Sequence, residues 1–66
     1  MNWDQISGNW KQIQGKVKEK WGDLSDNDLE KINGRRDQLE GVLQERYGLA
    51  KDAAQKNIDE WLKTMH

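Results

Sequence analysis

Carboxylates, amines and aromatic rings supply the chemistry open to this chain, because its 66 residues hold no cysteine and a single histidine, His66, at the last position. Disulfides, thiolate metal sites and thiol catalysis are excluded. A lone terminal imidazole is read as having no role. The nearest thing to an ion-binding run is Asp23, Asp26 and Asp28. A calcium loop also needs a turn glycine and a closing glutamate at fixed offsets, which this run lacks. A capped helix start accounts for these acids better, since carboxylates there face the positive end of the helix dipole. No nucleophile elbow, Walker loop or zinc-protease helix spacing occurs, and the glycines spaced by seven lie within helical stretches, where they form no phosphate loop. The chain is therefore expected to be no enzyme, with no catalytic residue, cofactor or metal.

Two binding chemistries remain. The tryptophans Trp3, Trp10, Trp21 and Trp61 could stack on single-stranded bases or cage a cation. At helical spacing, however, Trp10, Trp21 and Trp61 fall on apolar stripes and are read as core, where so few large aliphatic residues leave the indoles to supply buried area. Trp3 lies near the chain start, where fraying is expected, and its role stays open. The cations Lys11, Lys16, Lys18, Arg35 and Arg36 could contact phosphates. A duplex-binding domain shows a cationic excess, whereas this chain has 11 Lys and Arg against 12 Asp and Glu, a net charge of −1. Its first 22 residues are mildly basic, residues 23–33 acidic and the remainder balanced. A solvated face is the simpler reading of these lysines, and nucleic acid is not expected as a partner.

The elements that must position these groups are organised by a repeat. An offset of 26 residues lays GNWKQIQGKVKEKWG (8–22) over GRRDQLEGVLQERYG (34–48), with identity at Gly8/Gly34, Gln12/Gln38, Gly15/Gly41, Glu19/Glu45 and Gly22/Gly48. Trp3, Ile6, Trp10, Ile13, Val17 and Trp21 step by three or four, which predicts a first helix over about residues 4–21 with Gly22 as a left-handed cap. Ser25, three residues before Asp28, opens a short second helix carrying Leu29 and Ile32. The third helix carries Leu39, Val42, Leu43 and Tyr47 and stops at Gly48; a fourth, over about 51–63, aligns Ala50, Ala54, Ile58, Trp61 and Met65. The prediction is an all-α, four-helix domain of two helical hairpins, copies spanning about 4–33 and 34–63, packed across each other in one domain over 1–66.

Composition limits what this domain can be. A chain so short buries only about 60% of the surface its unfolded form exposes. With 33% hydrophobic and 35% charged residues it lies at the polar edge of what folds alone. No signal-like segment opens it and no apolar run approaches the roughly 20 residues of a membrane span, so a soluble, cytoplasmic monomer without membrane contact is expected.

Glycines on polar faces are the remaining anomaly. Gly8 and Gly15, and in the second copy Gly34 and Gly41, fall opposite the apolar stripes, and each mid-helix glycine costs about 0.8–1.0 kcal/mol relative to alanine. Either they relieve crowding or are tolerated, or they allow close backbone approach by a partner or keep the helices conditionally folded. The candidate interaction surface therefore comprises Gly8, Gly15, Gly34 and Gly41 with Lys11, Lys16, Lys18, Arg35 and Arg36.

The segments GNWKQIQGKVKEKWGDLSDNDL (8–29) and GRRDQLEGVLQERYG resemble the CsbD-like family of small bacterial stress proteins. The match is most specific at Gly8, Asn9, Trp10, Lys11, Gln12, Gly15, Lys16, Lys18, Trp21, Gly22 and Leu24; Ser25 stands where threonine is commoner, which leaves capping intact. The resemblance implies a general stress-response protein with no agreed molecular activity, and two orthogonal hairpins as in SAM-like domains. Three functions are then ranked: a hydrophilin-like protectant, a protein-interaction module using the glycine faces, and a weak nucleic-acid binder.

Overall fold

Five helices account for most of residues 2–65, which the computed structural model describes: α1 (Trp3–Gly8), α2 (Trp10–Lys20), α3 (Asp26–Ile32), α4 (Arg36–Tyr47) and α5 (Lys51–Thr64). No strand occurs among the described residues, so the all-helical prediction holds. His66 lies outside them. The count differs from the predicted four because the first helix is interrupted at Asn9, with φ −118° and ψ 31°. Asn9 turns its own side chain back: Nδ2 donates to the Gln5 carbonyl at 3.1 Å, an oxygen that also accepts the Asn9 amide at 3.1 Å. Such side-chain competition for a helical carbonyl, beside the weak helix former Gly8, bends the ladder without ending it. Gln12 and Ile13 donate to the Asn9 carbonyl at 2.9 and 3.0 Å, and Ile6, Trp10, Ile13 and Val17 all remain buried on one side.

The first of the described residues are tied down. Asn2 Oδ1 accepts from the Gln5 amide at 3.0 Å and Gln5 Oε1 accepts from the Asn2 amide at 3.2 Å, a reciprocal cap. Trp3 is half-buried and its indole N–H donates to the Gly34 carbonyl at 2.9 Å, which settles what this tryptophan does in the fold.

Two of the expected helix boundaries are as read and one is not. Gly48 is left-handed (φ 65°) at the end of α4, and Ser25 caps α3. Gly22 is not left-handed: α2 ends at Trp21 with φ −118° and ψ 80°, and the indole is carried into the core by that extended step, so no positive φ is required. Left-handed geometry falls instead at Asn33 (φ 46°) and Gly34 (φ 78°), between α3 and α4. Asparagine tolerates this region better than most side-chain-bearing residues.

The core is a single cluster drawn from all five helices and the α2–α3 link, including Ile6, Val17, Leu24, Ile32, Leu43 and Ile58. Trp21 and Trp61 lie in it with ring centroids 5.3 Å apart and planes tilted by 59°. Tyr47 and Ala50 depart from their predicted stripes. Tyr47, in the last position of α4, is 37% exposed and its hydroxyl accepts the Asp23 amide at 3.2 Å. Ala50 is exposed because it is the N-cap of α5 rather than part of its face. The repeat has a structural counterpart, since α2 and α4 begin 26 residues apart; α4 packs against both α3 and α5, and α1 against α2.

Candidate interaction surface

The four glycines do not form one surface. Gly8, Gly15 and Gly41 are exposed, and a Cβ at any of them would meet nothing within 4 Å. Gly34 is buried in the α3–α4 turn, where a Cβ would lie 3.3 Å from Ser7 Oγ and 3.4 Å from the Ser7 backbone. It does not share the polar face of α4, because it precedes Arg36, the first residue of that helix, and helical periodicity does not extend to it. Gly34 is a close-packing residue between α1 and the turn, and the partner it admits is the protein's own chain.

Open space at Gly15 and Gly41 gives a direct expectation. Gly15→Ala and Gly41→Ala should each stabilise the protein by about 0.5–1 kcal/mol, since alanine lowers unfolded-chain entropy with no contact to disturb. Chemical denaturation midpoints decide it; a fall in both would show that the glycines are covered.

The basic residues are likewise dispersed. Lys11, Lys16 and Lys18 are exposed along α2, with Lys18 Nζ 2.9 Å from Asp26 Oδ1. Arg35 is exposed, whereas Arg36 is half-buried and held by Asp59 of α5 and Glu40 of its own helix. Those two carboxylates, Asp59 first, raise the Arg36 pKa above its ordinary value and balance its charge. The acids of the run 23–28 do not converge either: Asp26 faces Lys18 and Asp28 faces Arg46. Among the described residues no group of three metal-ligating side chains comes together.

A two-point ion pair joins α3 to α4. Asp28, 7% exposed, is the buried charged residue among those described. Arg46 grips it in a two-point pair, Nε to Oδ2 at 2.9 Å and Nη2 to Oδ1 at 3.0 Å. Oδ2 also accepts the Ser25 amide at 3.0 Å, while Ser25 Oγ accepts the Asp28 amide at 3.2 Å. The capping box read from Ser25 and Asp28 is thus present, and its carboxylate does double duty. Arg46 escaped sequence reading because a partner 18 residues away leaves no periodic signal.

Arg46 above all, and then the Ser25 amide, hold the Asp28 carboxyl at about 2, below its ordinary 3.8. A pKa lowered by folding gives stability that is complete above the unfolded value and is lost as pH falls through the folded one. Melting temperature should therefore drop between about pH 4 and about pH 2. Asp28→Asn should flatten that drop. Equal slopes in both proteins would mean that the pair contributes nothing.

What the fold and surface define is a small helical protein with a tryptophan-rich core under a charged exterior. A family model described as CsbD-like matches residues 4–56, and the chain belongs to that family. It is 62% identical over 65 residues to UPF0337 protein RPA4217 of Rhodopseudomonas palustris, a match that covers 98% of each chain. It is also 59% identical over 63 residues to UPF0337 protein YjbJ of Escherichia coli O6:H1, covering 96% of this chain and 91% of that one. UPF0337 protein ECA0631 of Pectobacterium atrosepticum is 61% identical over 61 residues, which is 92% of this chain and 88% of its own. Among the described residues no helix is long and apolar enough to cross a membrane.

Proposed function

We propose that this protein is a non-enzymatic bacterial general stress-response protein of the cytoplasm that works as a hydrophilin-like protectant. One observation carries the reading: of the charged side chains described, Asp28 alone is buried, so nearly the whole ionic complement of the chain stays in water around a small core. A mean hydropathy of −1.21 is the sequence expression of the same fact. A surface of this kind holds water and makes transient contacts without a pocket. In this reading the two repeat copies are crossed helical hairpins, α2 with α3 and α4 with α5, as in SAM-like domains; residual dipolar couplings would test the crossing. The functional test is a labile enzyme dried or freeze-thawed with increasing protein. Activity should be retained in proportion to the protein added and beyond an equal mass of albumin. Retention no better than albumin defeats the proposal.

Nucleic-acid binding is weak in this reading, because the chain carries a net charge of −1 and Arg36 already faces two carboxylates. Labelled duplex and single strand should bind no tighter than the general non-specific range of about 10⁻⁴–10⁻⁶ M at physiological salt. Sub-micromolar, salt-sensitive binding that disappears when Lys11, Lys16 and Lys18 become glutamine would make α2 a nucleic-acid site.

A further inference from the structure

The exposed faces of α2 and α4 occupy equivalent places in the repeat and differ in charge. Around Gly15, at helical offsets of three and four, stand Lys11, Gln12, Lys18 and Glu19, all exposed. Around Gly41, at the same offsets, stand Asp37, Gln38, Gln44 and Glu45; the two acids are exposed and the two glutamines half-buried. The first face has two lysines and one glutamate. The second has two carboxylates and no cation. Among the described residues, a Cβ at either glycine would meet nothing within 4 Å.

We propose that α2 of one molecule docks on α4 of a second copy, antiparallel, with Gly15 crossing Gly41. Registering the two glycines places Lys18 opposite Asp37 and Lys11 opposite Gln44 along one edge. Gln12 then faces Glu45 and Glu19 faces Gln38 along the other. No like-charged pair arises among these eight residues, although Asp26 and Glu30 of α3 also line the groove beside Gly15, and the antiparallel arrangement also opposes the two helix dipoles. Pairing α2 with α2 in the same way would set Lys11 against Lys18 twice, and pairing α4 with α4 would bring four carboxylates together without a cation. Complementarity thus selects the mixed pair, and because every chain carries both faces, a second copy is the occupant that fits. Glycine at the crossing lets the helix axes approach more closely than side chains would permit. Lys18 has only to turn from its exposed Asp26 partner, a pair worth little where both groups are solvated.

The two faces differ, so the contact is heterologous: each added molecule leaves one free face of each kind, and assembly continues without closing at a dimer. With a small polar contact of this sort, dissociation constants on the order of 10⁻⁴–10⁻³ M are expected, which leaves the chain monomeric when dilute.

Sedimentation velocity of the full chain tests this. Weight-average mass should rise past that of a dimer with concentration and fall with added salt. Lys18→Asp and Asp37→Lys should each raise the concentration for half-association by about tenfold, and the double variant should return it to within about threefold of the parent. Gly15→Leu, whose Cβ meets nothing within 4 Å in its own fold, should block association while leaving the circular dichroism unchanged. A mass that stays monomeric up to the solubility limit would overturn the proposal. So would saturation at a dimer, association by Gly15→Leu equal to the parent's, or a double variant no better than either single one.

Discussion

Trp21→Ala and Trp61→Ala should each remove about 3–5 kcal/mol and leave the chain unfolded at room temperature. The two rings pack on each other at 5.3 Å and are 4% and 6% exposed, so truncating either one leaves a void lined by its partner. In a chain of 66 residues a single core rarely supplies more than about 3–5 kcal/mol, so either loss takes most of it. Amide chemical-shift dispersion and tryptophan emission report the outcome. A variant that kept native dispersion would show that its indole is dispensable to the core and available for a ligand.

Gly34→Ala is the second large expectation, and its sign is opposite to that for Gly15 and Gly41. At φ 78° a side chain costs about 1–2 kcal/mol for the left-handed backbone. The added methyl would also press on Ser7, at 3.3 Å from its hydroxyl oxygen. Because the Gly34 carbonyl receives the Trp3 indole N–H, any shift of the turn weakens the anchorage of α1 as well. Denaturation midpoints should fall for Gly34→Ala while they rise for Gly15→Ala. A midpoint at or above the parent's would mean that the turn relaxes without strain.

This contrast shows what the sequence makes legible. A period of three to four residues locates Ile6, Ile13, Val17, Leu43 and Ile58 in the core, because a helix turns its buried face back to the same side each turn. The same geometry fails where the helix has ended. It mistook Gly34 for a solvent-facing helical residue, and it kept Tyr47 and Ala50 on apolar stripes although they lie at a last turn and a cap. Asn9 was hidden for a different reason: a side chain that bonds its own preceding turn does so without altering the apolar spacing. Of the candidate surface, the openness of Gly8, Gly15 and Gly41 was readable, but the pairing of Arg36 with Asp59 and of Arg46 with Asp28 was not. Long side chains from separate helices meet through tertiary packing.

The indole-to-carbonyl bond between Trp3 and Gly34 spans 31 residues, whereas the packing of α4 against α3 and α5 joins neighbours in the chain. Closing a longer loop sacrifices more chain entropy before any contact is gained. Assembly around α4 is therefore expected to precede docking of the first turn, in a helical domain whose local contacts favour folding in microseconds to milliseconds. Docking of that turn completes the core as well as the bond, since Ile6 of α1 is fully buried in the same cluster as Leu43 of α4 and Ile58 of α5.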